Sequence, residues 1–280
     1  MNRLSFEKRT QIIACLVEGN SIRATARICG IVKNTVIKLL CEVGEACSKY
    51  QDEHLRNLSC KRVQCDEIWS FVHSKEKNVP PDKRGQIGWG DHYTWMGMCA
   101  DTKLMVSWMV GKRDYPTATV FMNDLASRLS GRVQLTTDGH NVYLNVVDEG
   151  FGLDVDYAML IKLYSESSEQ KVEKRYSPGS FVSSETKIIR GNPDPKHIST
   201  SYVERSNLTM RMGMRRFTRL TNGFSKKAEN LAYAVSLHFM YYNFVRIHQS
   251  LRVTPAMEAG VTDRLWSIEN IAKLADCSRA

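Results

Sequence analysis

The chain has 280 residues, 42% of them hydrophobic, enough for a sizeable core and too many for a disordered chain. A formal net charge of +9 favours a polyanionic partner over an acidic one. The start, Met1 to Arg9, lacks the apolar segment of a signal peptide, and no apolar run is long enough to span a bilayer, so no membrane partner is expected.

Residues 4–18 read as a helix, with Ser5 as N-cap, an apolar stripe of Ile12, Ile13, Leu16 and Val17, and Gly19-Asn20 as the stop. Ser21 caps a short second helix, Ile22 to Cys29, and Gly30 makes a tight turn. A third helix runs from about Lys33 to Gly44, with Val36, Leu39, Leu40 and Val43 facing inward. A short helix, a glycine turn and another helix form the helix-turn-helix pattern. Its outward face carries Lys33, Asn34, Thr35 and Lys38, residue types that contact phosphates and base edges. An ordinary three-helix bundle with a solvated face is the alternative. DNA binding is favoured because the glycine turn coincides with positive charge: residues 1–62 hold 11 Lys/Arg against 6 Asp/Glu. The expected division is a helix-turn-helix domain over 1–50 and a charged linker over 51–62.

Residues 63–72, Val-Gln-Cys-Asp-Glu-Ile-Trp-Ser-Phe-Val, read as a strand dense in β-branched and aromatic residues. Two carboxylates sit at its centre. Successive side chains on a strand point to opposite faces, so Asp66 and Glu67 are not expected to serve one site. A carboxylate in so apolar a strand costs free energy unless it is paired or holds a metal. An exposed acid on an edge strand is the alternative.

A polar loop follows over 73–91. Tyr93 to Ala100 and Leu104 to Val110 read as a hairpin. Pro116 opens a helix whose inner face is Ala118, Phe121, Met122, Leu125 and Leu129. Arg132 to Thr137 is a fourth strand, Asn141 to Glu149 a short helix, and Asp156 to Tyr164 a fifth strand. Residues 165–200, rich in Ser, Gly and Pro, read as a long loop. Helices then run from Ser201 to Arg219 and from Ser225 to about His248, and Pro255 begins a short helical tail. This order predicts an α/β fold: an antiparallel meander, then strands reached through helices.

Asp138 follows the carboxyl end of the fourth strand, a usual place for functional groups, although Asp before Gly is also a common turn. On a helix, Glu204, Arg211 and Arg215 share one face. Residues 201–252 hold 9 Lys/Arg and 2 Asp/Glu, so an acid on this basic face suits a metal ligand flanked by phosphate contacts; a solvated ion-pair face is the alternative. In the helix over 225–248, Leu231, Val235, Phe239 and Tyr242 recur at core spacing, and the basic end at Arg246 is placed to reach DNA or a second subunit. Eight cysteines, at 15, 29, 41, 47, 60, 65, 99 and 277, form no Cys-x-x-Cys pair, which argues against structural zinc and for reduced thiols.

Four stretches carry a family likeness: Gln64-Cys-Asp66-Glu-Ile-Trp69, Leu135-Thr-Thr-Asp138-Gly-His140, Tyr202-Val-Glu204-Arg-Ser-Asn207, and Tyr242 to Pro255 with Arg246, His248 and Leu251. In this order they resemble DDE transposases, specifically the insertion-sequence-one family. The resemblance implies a ribonuclease-H-like mixed-sheet core over 63–265, with C-terminal helices and a tail over 266–280. It implies Asp66, Asp138 and Glu204 as catalytic metal ligands for two Mg²⁺ or Mn²⁺ ions. It further implies DNA strand cleavage and strand transfer on double-stranded element ends and target by a homo-oligomer, in a bacterial-type, nucleoid-associated cytoplasmic setting. Arg211, Arg215 and Arg246 join Lys33, Asn34, Thr35 and Lys38 as expected DNA contacts. Glu166, Glu169, Glu173 and Glu185 compete with Glu204, but in loop-like sequence. The rival functions are a helix-turn-helix regulator with a noncatalytic module and a nuclease without end joining.

Overall fold

The strand 62–72 is the axis of the molecule because its residues bury on both faces. The computed structural model describes residues 4–86, 88–164, 181–218 and 221–277. Strand β1 is Arg62–Val72, β2 Gly90–Cys99 and β3 Met105–Gly111. They form the expected antiparallel meander, with Asp66 opposite Met96 and Glu67 opposite Trp95. Helix α4, Tyr115–Arg128, leads to β4, Val133–Thr137, and α5, Val142–Phe151, leads to β5, Val155–Tyr164. Both later strands lie parallel to β1. Strand β6, Phe181–Arg190, returns antiparallel to β5. The sheet order is β3-β2-β1-β4-β5-β6. A meander joined through its first strand to two parallel crossover strands is the ribonuclease-H-like arrangement, and the chain has this mixed α/β architecture.

The two faces of the sheet are covered by different helices. On the Glu67 face, Trp95 packs on Phe121 of α4 and Tyr143 of α5. Ala118, Phe121, Met122 and Leu125 are buried there, as their spacing predicts. On the Asp66 face lie α6, Ser201–Gly213, and α7, Ala228–Met240, with Trp108 of β3 against Phe239. Helices α1, Phe6–Val17, α2, Ile22–Ile28, and α3, Lys33–His54, pack outside α7 and share one continuous apolar core with the sheet. Ser5 and Ser21 cap the first two helices by accepting from Lys8 N and Ala24 N at 3.2 and 3.1 Å.

Several boundaries differ from expectation for identifiable reasons. Helix α3 continues ten residues past Gly44, into the span 45–62 expected as a helix tail and linker. A Cβ at Gly44 would meet Tyr233 of α7 at 2.5 Å, so this glycine marks the closest approach of two helices and not a stop. Burial outweighs the roughly 1 kcal/mol that glycine costs inside a helix. Strand β6 occupies part of the span expected as loop; it is exposed along most of its length, so it shows no alternation of apolar and polar residues. Residues 165–180 lie outside the described residues. The helix expected over 225–248 gives way at Tyr241–Val245 to a π-helical turn. Asn243, fully buried there, accepts from Met105 N and donates to Met105 O, both at 3.0 Å, tying the turn to β3. The expected tail contains α8, Pro255–Glu258, and α9, Ile268–Cys277. Helix α9 buries Ile271, Ala272 and Ala275 against α1 and α3, and Asp276 pairs with Arg9. Among the described residues no helix is long and apolar enough to cross a membrane.

Candidate active site

Strand β1 is paired with β4 only as far as Gln64 opposite Thr136. Strand β4 ends at Thr137, and the chain turns away at Asp138. Beyond that point the β4 side of β1 is open until Val72 bridges to Ser225, and Asp66, Glu67 and Asp138 converge on this gap. One carboxylate oxygen from each lies within 4.8 Å of the others.

The expectation that Asp66 and Glu67 cannot serve one site is therefore corrected. Alternation holds: Asp66 reaches from the α6 face and Glu67 from the α5 face. Where the neighbouring strand stops, however, the sheet no longer separates its two faces. Asp138, at the strand end, meets both side chains.

Asp66 is held by two donors. Its Oδ1 accepts Glu67 N at 2.8 Å and its Oδ2 accepts Asn207 Nδ2 at 2.7 Å. Burial nevertheless raises its pKa to about 7, with the charges of Asp138 and Glu204 adding to the rise. Glu67 is also pushed up to about 7, first by burial and then by Asp138. Its side chain is 2% exposed, with the buried Tyr143 hydroxyl behind it as a poorly aligned hydrogen-bond partner that opposes part of the rise. Arg113 is the nearby cation, with Nη2 at 3.4 Å from Glu67 Oε2 and 3.8 Å from Asp138 Oδ2. Asp138 Oδ1 accepts His140 N at 3.0 Å, which fixes the turn after β4.

Glu204 stands at the start of α6, outside the three-residue cluster. Its Oε1 accepts Thr200 Oγ1 at 2.6 Å and pairs with Lys162 of β5. Its charge still acts on Asp66. The helix that carries it is anchored to β1: Gln64 Oε1 accepts Tyr202 N and Val203 N at 2.9 and 3.2 Å. Gln64 thus supplies the N-terminal cap that Thr200 does not. Of the competing acids, Glu185 is exposed on β6, opposite Ile161, and Glu166, Glu169 and Glu173 lie outside the described residues.

Three clustered carboxylates, two of them protonated up to about pH 7, are unfavourable as bare charges. An all-oxygen donor set of three crowded, partly buried carboxylates suits a hard divalent cation, which would relieve the repulsion. The residues present therefore fit such an ion. Reading the strand as a strictly two-faced element missed Glu67. Asn207 lies within the motif around Glu204, three residues further on the same helix, and that spacing was the signal available.

The residues expected at DNA lie outside the carboxylate cluster, and Lys33 and Arg215 line one cavity. Lys33, Asn34 and Lys38 are exposed at the start of α3, with Thr35 half-buried beside them. Arg211 is half-buried on α6. Arg215 is exposed in the turn after α6 ends at Gly213, so it does not continue the helical face of Glu204. Arg246 is exposed just beyond the π-helical turn.

No family model matches the chain, and no curated protein does. Among solved structures it is similar to a piggyBac transposase synaptic complex with hairpin DNA, at 11% identity and a TM-score of 0.34, over 79% of this chain and 52% of that one. This chain thus spans about half the length of that transposase.

Proposed function

We propose that the chain is a DNA transposase of the DDE type, akin to the insertion-sequence-one family, that cuts the ends of a mobile element and joins them to target DNA. The observation that carries this reading is the convergence of Asp66 from the central strand and Asp138 from the end of the adjacent parallel strand, with an acid-bearing helix beside them. That constellation lies at the carboxyl end of β4, where the sequence motifs expect it.

In this reading Asp66 and Asp138 hold the metal, Glu67 completes the donor set, and Glu204 joins from α6. When bound, Mg²⁺ or Mn²⁺, two ions in this chemistry, would activate the attacking hydroxyl and stabilise charge on the leaving oxygen. The protein's own residues orient these ligands. Asn207 fixes the rotation of the Asp66 carboxylate through its 2.7 Å hydrogen bond, and Gln64 fixes the start of α6. Arg113 offsets negative charge next to Glu67 and Asp138 until a cation does so. Lys33, Asn34, Thr35 and Lys38 grip the terminal repeat, and Arg211, Arg215 and Arg246 contact phosphate. A homo-oligomer would bring two ends together.

A nuclease with the same core would cleave but not join. The test is a strand-transfer assay with the flanking element ends, a target plasmid and Mg²⁺. Joined products support the transposase; cleaved ends that never join favour the nuclease.

A further inference from the structure

Away from the carboxylates, a cavity of about 730 Å³ opens between the end of α1, the start of α2, helix α3 and the connection that follows α6. The described residues that line it include Arg23, Lys33, Arg215, Arg216 and Lys226 and no carboxylate. A cavity of this volume accommodates a phosphate together with the group that carries it.

Arg216 sets this cavity apart. Among the described residues the two buried arginines have acids: Arg9, 4% exposed, pairs with Asp276, and Arg128, 7% exposed, pairs with Asp52 and Asp124 at 2.7 Å each. The Nε of Arg216 donates to Ser225 Oγ at 2.8 Å, and among the described residues no carboxylate pairs with its guanidinium. Burial pushes its pKa down to about 10. Arg216 is half-buried; a guanidinium partly withdrawn from water with no acid beside it costs free energy, and the surrounding cations add to the cost. His238, also in the lining, is held neutral by burial, with its pKa pushed down to about 4, so it offers a hydrogen-bonding ring without further charge.

We propose that this cavity is a phosphate-binding site, with Arg216 as its anchor and the exposed Arg23 and Lys226 contributing from its rim. A planar guanidinium fork matches phosphate oxygens in pairs, and a bound anion supplies the charge that the protein withholds. A backbone phosphate of DNA and the phosphate of a free nucleotide present the same chemistry. The inference does not depend on the carboxylate site.

The test is isothermal titration of the full chain with sodium pyrophosphate in the presence of a chelator, so that no metal is involved. The wild type should bind, and Arg216→Met should weaken binding at least about tenfold. The melting temperature of that variant should equal or exceed the wild type's, because an uncompensated charge is gone. The double variant Arg23→Gln with Lys226→Gln, at exposed positions, should also weaken binding and decides the matter if Arg216→Met does not fold. Competition against a fluorescent duplex identifies the source: displacement assigns a DNA phosphate, and retained duplex at saturating pyrophosphate assigns a free phosphate ester. A wild type that does not bind pyrophosphate, or equal affinity in all variants, overturns the proposal.

Discussion

The Asn207 side-chain amide donates to Asp66 Oδ2 at 2.7 Å, linking helix α6 to the central strand at a carboxylate that burial disfavours as an ion. A hydrogen bond to the charged form favours that form. Removing it with Asn207→Ala should raise the Asp66 pKa above about 7. Carbon-detected NMR titration of the Asp66 carboxyl checks this. An unchanged or lowered pKa would show that the amide does not steer the acid.

The cluster also predicts how stability varies with pH. Asp66 and Glu67 have folded pKa values of about 7, against roughly 4 in an unfolded chain. Between these values the unfolded state releases protons that the folded state keeps, so stability falls as pH rises from about 4 to 7 and levels off above. Glu67→Gln removes its share of that slope. With chelator present, the melting temperature of the variant should gain on the wild type across this window and hold its lead above it. Parallel melting curves from pH 4 to 8 would contradict the assignment.

Gln64 acts on the same region through the backbone. Its carbonyl caps two N–H groups at the start of α6. Gln64→Leu should leave them unsatisfied and cost about 1–2 kcal/mol in urea denaturation, the range of a lost N-cap. Unchanged stability would mean that water replaces the cap without loss.

How much of this was legible in the sequence depended on burial. Strands β1 to β5 and helix α4 were readable because one or both faces are buried, which imprints a period. Strand β6 was not, because its residues are mostly exposed and no face selects apolar side chains. Gly44 sits inside α3 because it faces a neighbouring helix, a tertiary contact that no local pattern reports. Asp66 and Asp138 were readable as acids at strand positions. Glu67 was not, because alternation says nothing about where an adjacent strand ends. The buried tie from Asn243 to Met105 was hidden inside a motif whose Arg246 end had been read as reaching DNA.

The long aromatic helix separates packing from surface charge. Leu231 is fully buried on α7, whereas Arg246 is exposed just beyond the π-helical turn. Leu231→Ala should cost about 2–5 kcal/mol. Arg246→Ala should leave the melting temperature nearly unchanged and weaken strand transfer. Equal destabilisation by both would make Arg246 a structural partner.

The most direct measurement of the metal-centre assignment is cleavage of an end-labelled duplex bearing the element terminus, in Mg²⁺ and in chelator, by the wild type and by Asp66→Asn and Asp138→Asn. The wild type should cleave in Mg²⁺ alone, and both variants should lose cleavage while retaining duplex binding. Cleavage that persists in either variant at the wild-type rate would contradict the assignment.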